Sequence, residues 1–195
     1  MRMNTIITQQ LLERLASLLR SENRSLLLEY GLQPVQFDAL HYLSICNRYS
    51  DTPMSVTEYL GQTKGSVSQT LKVLEKKGLI VKTPDCCDKR VAHMAVTTEG
   101  RQLIKAVLPS PLLEVAGDVL GNKDLVSINS TLGTLLRTVQ QANNFKSFGQ
   151  CDSCRHNIKS AEDDYFCGLT KEPLTKMDIQ LICREHQPRQ LEGTE

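Results

Sequence analysis

From Thr63 to Gly78 the apolar residues Val67, Leu71 and Leu74 recur at i, i+4 and i+7, the spacing of one inward stripe on a helix. Thr63 supplies an N-cap and Gly78 a stop. Upstream, residues 33–46 and 54–60 read as two shorter helices, with Ser55 the expected cap of the second. Downstream, residues 79–82 and 91–96 are short β-prone runs around the turn-forming TPDCCDKR, which predicts a hairpin. A further helix begins near Thr98, and Pro109 and Pro111 predict a break in it. At the N-terminus Ile6, Leu11, Leu12, Leu15, Leu18, Leu19, Leu26, Leu27 and Leu28 form a helix with more apolar surface than one packing partner needs. Residues 124–143 repeat the pattern with Leu125, Ile128, Leu132, Leu135, Leu136 and Val139. Both faces call for a second chain, although each also suits the core of a monomer.

The 195 residues suffice for one domain of ordinary size with an appendage. No run approaches a membrane span and the first ten residues lack the apolar stretch of a signal peptide, so a cytoplasmic protein is expected. Charge sharpens this picture. Lys64, Lys72, Lys76, Lys77, Lys82, Lys89 and Arg90 face only Glu75, Asp85 and Asp88, whereas the chain as a whole carries +1. The polar side of the 63–78 helix offers Lys64, Ser66, Ser68, Gln69 and Lys72: hydroxyls and an amide that reach base edges, and lysines that neutralise phosphates. A charged helix face is often merely solvated; here a hairpin tipped by Lys89 and Arg90 follows it, the order of a winged helix.

The run GQTKGSVSQTLKVLEKKGLIVKTPDCCDKRVAHMAVTTEGRQLI resembles the MarR family of winged-helix regulators. Leu74, Glu75, Lys77, Gly78, Leu79 and Ile80 match its LE.KGLI segment, Asp88 and Arg90 its D-x-R wing, and Thr98, Glu99 and Gly100 its T.EG helix start. The resemblance extends over roughly residues 5–145. It implies that Arg90 enters the minor groove of duplex DNA, that Asp88 orients it, that the terminal helices interlock a two-fold dimer, and that a small effector binds near the break at Pro109. Cys86 and Cys87 depart from the family pattern; an adjacent pair at a wing tip is a candidate redox sensor as well as a plain pair of thiols.

The last 45 residues hold four of the seven cysteines. Cys151-x2-Cys154 presents two thiolates from one turn, and Cys167 and Cys183 follow, with His186 a possible substitute ligand in Cys183-x2-His186. Zinc is the expected cofactor, because metal-binding free energy can fold a short polar segment; an iron–sulfur cluster suits the same spacing. Six basic against nine acidic residues make this tail a poor second DNA-binding element.

The sequence thus predicts a mainly α (α+β) chain: an N-terminal dimerisation helix over 1–30, a winged helix-turn-helix domain over 31–100, C-terminal dimerisation helices over 101–146 and a cysteine-rich metal-binding module over 147–195. The expected function is that of a homodimeric DNA-binding regulator, a repressor on a palindromic operator under ligand, metal or redox control, and not an enzyme. Two alternatives are a metal-dependent enzyme built on the Cys/His cluster and a zinc-tail interaction module with a vestigial winged helix.

Overall fold

The computed structural model describes residues 2–86, 88–142, 146–161 and 164–189. It is mainly helical with two small sheets. Helix α1 (Arg2–Glu29) leads into α2 (Pro34–Ile45), α3 (Pro53–Leu60) and α4 (Lys64–Lys76), followed by the wing strands β1 (Ile80–Pro84) and β2 (Ala92–Val96). Helices α5 (Thr98–Val107) and α6 (Pro111–Ala142) come next, and then strands β3 (Asn157–Ala161), β4 (Asp164–Cys167) and β5 (Glu172–Leu174).

The elements end where their chemistry says they should, with one exception. Thr63 Oγ1 accepts the Ser66 N–H at 3.2 Å, and Gly78 takes φ +70° after α4, a left-handed turn cheap only for glycine. At α3 the cap is Thr52, whose Oγ1 accepts the Ser55 N–H, and not Ser55 itself. Pro53 fits the first helical position, where its missing N–H costs nothing, so the helix starts two residues before Ser55. The break after α5 falls as predicted, between Val107 and Pro111. The stretch α6 is two helices joined at Gly121, whose φ +76°, ψ 166° is not helical; the second carries the leucine spacing read over 124–143, and a further helix starting at Pro111 precedes it.

The core gathers between α2, α3, α4, the wing and α5: Leu40, Tyr42, Val56, Val67, Leu74 and Ile80 are essentially inaccessible, joined by Leu27 of α1 and Val107 of α5. Burying each such side chain stabilises the fold by about 1.5–3 kcal/mol. This core fixes the orientation of α4. By contrast α1 buries only Leu27, and no described residue of the 32-residue α6 is buried. Among the described residues no helix is long and apolar enough to cross a membrane.

The C-terminal segment is a packed module, not a loose tail. Strands β3, β4 and β5 form an antiparallel sheet with Ile158 opposite Phe166 and Tyr165 opposite Leu174. Its small core of Cys151, Leu174 and Ile179 rests against Tyr49. Phe148 belongs to the main core, edge-on to Tyr42 and Tyr59 at 6.0 and 5.2 Å between ring centres. Backbone bonds run from Ile182 N–H to Ile45 O (3.0 Å) and from Asn47 N–H to Ile182 O (2.9 Å), so the module adds an extended segment to the end of α2. Arg184 then grips Glu58 of α3 through Nε and Nη2 at 2.8 and 2.6 Å, and Lys146 adds a second cation, which together hold the Glu58 carboxyl down at about 2.

Candidate nucleic-acid interface

Because Val67, Thr70, Leu71 and Leu74 point α4 into the core, its opposite face is left to water, and Lys64, Ser66, Ser68, Gln69 and Lys72 are all exposed there. Lys64, Ser68 and Lys72 line one open groove of about 220 Å³ together with Pro53, Met54 and Thr57 of α3 and Lys82 and Met94 of the wing strands. Helix and wing therefore share a surface. Sequence reasoning did not place Lys82, Met54 or Thr57 in it; Lys82 entered only as part of the charge balance.

At the wing tip the chain is held by Asp side chains. Asp85 Oδ1 accepts the Asp88 N–H at 2.7 Å, and Val91 N–H donates to Asp88 O at 2.8 Å. Asp88 in turn accepts from Arg90 three times, at 3.0 Å each: Nε and the backbone N–H on Oδ1, Nη2 on Oδ2. The bidentate fork fixes the plane of the guanidinium while the Arg90 side chain stays 90% exposed, so it is oriented and still open to a ligand. The pairing holds the Asp88 carboxyl below its usual range and pushes Arg90 up. Lys89 is exposed beside it. Cys86 is also exposed, while Cys87 lies outside the described residues, so the redox pair is not described as a pair.

A second brace under the wing had no signal in the sequence. His93 on β2 places Nδ1 against Asp51 Oδ1, just ahead of α3, and Nε2 3.1 Å from Asp85 Oδ2. The Asp51 contact above all, with Asp85, raises the His93 pKa against the opposing effect of burial, and the ring ties the wing to the start of α3. His41, by contrast, stacks on Phe37 at 6.3 Å and takes no part in the surface.

The four cysteines expected as ligands are brought together. Cys151, Cys154, Cys167 and Cys183 line one cavity of about 30 Å³ with Asn47, Tyr49, His156, Asn157 and Thr170. Asn47 Nδ2 donates to Cys151 Sγ at 3.4 Å, and Thr170 N–H to Cys167 Sγ at 3.5 Å. The Cys183 thiol is held below its usual value, first by the Cys151 thiol donating to it and also by Asn47 and Ser50, while Cys151, the donor, is pushed up. Among the described residues no three Cys, His, Asp or Glu side chains already stand as a ready-made metal site. His186 does not join the cysteines: its Nδ1 lies 2.6 Å from Ser147 Oγ and its Nε2 3.0 Å from Ser153 Oγ, so both ring nitrogens are engaged elsewhere. His156, two residues after Cys154, lines the cavity instead.

Comparison with known proteins agrees with this architecture. A model described as MarR family matches residues 30–91. The transcriptional repressor MprA of Escherichia coli (strain K12) is 26% identical over 104 residues, covering 53% of this chain and 58% of that protein. The chain thus spans less than two thirds of that relative. Among solved structures, a MarR family protein from Bacillus stearothermophilus superposes with a TM-score of 0.59 at 19% identity, covering 72% of this chain and 98% of the other. The Staphylococcus aureus MepR–DNA complex does so with a TM-score of 0.55 at 21% identity, covering 67% and 96%. The groove-lining α4 and the Asp88–Arg90 wing agree with these likenesses: residues 30–91 match the MarR family model, and the fold is that of MarR-family structures.

Proposed function

We propose that the protein is a homodimeric transcriptional regulator, a repressor that binds duplex DNA with α4 in the major groove and the wing at the minor groove. The observation that carries this reading is the shared surface: polar and cationic α4 residues on one groove with the wing, and an arginine held open by Asp88 at its tip. An acidic face would repel phosphates; this one attracts them, and it carries hydroxyl and amide groups of the kind that read base edges. The S. aureus relative solved with DNA has the same fold, which supports the same use here.

The dimer follows from the unburied apolar faces. Leu11, Leu15, Val119 and Leu136 are 60, 52, 82 and 58% exposed, along helices too apolar on that side to stand alone in water. A second copy offers the same surfaces and covers them by two-fold symmetry. Control by a small effector belongs to this proposal, at the α5–α6 break, where Leu112 N–H donates to Glu22 of α1 at 2.9 Å and so joins the two dimerising helices to one another. The enzyme reading is weaker, because a catalytic metal needs an open coordination position and four soft thiols leave none. Selection from a pool of random duplexes tests the proposal. Enrichment of an inverted repeat with half-sites about one helical turn apart, bound by two chains, is expected; recovery of no common sequence would overturn it.

A further inference from the structure

We propose that Cys151, Cys154, Cys167 and Cys183 bind one zinc ion as four thiolates, and that this site clamps the C-terminal module onto the end of α2. Four observations carry it. All four sulfur-bearing side chains line the same small cavity, although Cys151 and Cys183 are separated by most of the module's length. The module's own apolar core is only three buried residues, two of them not cysteine, far below what a separate fold of this size needs without a metal or disulfide. Hydrogen-bond donors already converge on the sulfurs: Asn47 Nδ2 on Cys151, and the Thr170 N–H on Cys167 in a tight turn that also joins Lys171 N–H to Cys167 O at 2.8 Å. Such donors stabilise the charge that thiolates carry once bound. Finally, His156 Nε2 and Asn157 Oδ1, both on residues of the cavity wall, are buried with no hydrogen-bond partner. Buried polar atoms without partners cost free energy and mark a place built for something more.

The chemistry is simple exchange. Each thiol releases its proton to water as its sulfur binds, and no electron is transferred. Each cysteine has one side-chain torsion, so the sulfurs turn inward by rotation about χ1 while the backbone turns stay in place. A tetrahedral zinc site with Zn–S of about 2.3 Å suits so small a cavity. Asn47 makes the site a clamp. It is buried at the end of α2, its Oδ1 accepts the Tyr49 N–H and the Ser50 hydroxyl, and Ser50 Oγ accepts the Arg184 N–H at 2.8 Å. The metal shell is thereby tied to the loop that leads into α3. His156 serves as an outer donor to the thiolates, because four sulfurs complete the shell.

The test uses the full-length protein, stripped of metal under reducing conditions and titrated with cobalt(II). One equivalent should bind with the intense thiolate charge-transfer and visible bands of a tetrahedral four-sulfur site, and zinc should displace it. Cys154→Ser and Cys167→Ser should lose that spectrum, and Cys86→Ser and His156→Gln should keep it. Should the serine variants fail to fold, alkylation of the wild-type thiols read by mass spectrometry decides: zinc should shield these four and leave Cys86 reactive. No cobalt uptake, equal alkylation with and without zinc, or a spectrum lost in His156→Gln would overturn the assignment. None of these readouts involves DNA, so the outcome is separable from that of the regulator proposal.

Discussion

Arg90→Ala should lower affinity for a selected operator by roughly ten- to a hundredfold, and reduce the salt dependence of binding, without changing the thermal unfolding of the free protein. Arg90 makes no contact with the core; its hydrogen bonds go to Asp88, two residues away, and its side chain is 90% exposed. Among the described residues its hydrogen bonds hold only the wing tip, and what it offers is a positive fork held in one plane. Asp88→Asn tests the orienting role separately. The charge of Arg90 remains in that variant and the fork is released, so affinity should fall by less while the salt slope stays nearly the same. Gel-shift or anisotropy titrations at several salt concentrations distinguish the two; equal affinity for wild type and Arg90→Ala would remove the wing from the interface.

Gly100→Ala should destabilise the fold by roughly 1–3 kcal/mol or more, read as a lower urea midpoint with an unchanged slope. A Cβ at this position overlaps the Leu79 carbonyl oxygen and comes within 2.8 Å of Val96 Cγ1 and 3.3 Å of Leu40 Cδ1. The first of these is backbone and cannot swing aside: Leu79 O already accepts the Thr97 N–H at 3.0 Å, and Thr97 Oγ1 donates to Gly78 O at 2.7 Å. The start of α5 is thus pressed against the turn that closes α4, and only glycine allows the approach. Gly65→Ala is the control, because its Cβ would meet nothing closer than Thr63 Oγ1 at 4.0 Å. That variant should be neutral or slightly more stable, alanine being the better helix former.

The T.EG match over Thr98, Glu99 and Gly100 therefore has a packing reason, with Gly100 as the close approach, although the cap is Thr97, one residue ahead of it. Local chemistry of this kind was legible in the sequence: the Thr63 cap and the inward Val67–Leu71–Leu74 stripe lie where spacing put them, and the Asp88–Arg90 pairing is the one the family resemblance implied. Ser55 misled because Thr52 and Ser55 are equally good caps by type, and Pro53 decides between them. The remainder depends on contacts between residues far apart in the chain. Asn47 meets Cys151 across 104 positions and Arg184 meets Glu58 across 126, so nothing in the spacing of either partner announces the docked module. The exchange of His186 for His156 at the cysteine cavity has the same origin. The C-x2-H spacing made His186 attractive, but the chain carries it to the far side, onto Ser147 and Ser153.

Lysine footprinting, with acetylation read by mass spectrometry in the presence and absence of a selected duplex, tests the central claim most directly. Reactivity should fall at Lys64, Lys72 and Lys89 and stay unchanged at Lys105, Lys123 and Lys171. Protection of Lys105 or Lys171 with Lys64, Lys72 and Lys89 still fully reactive would contradict the assignment of α4 and the wing as the DNA-binding face.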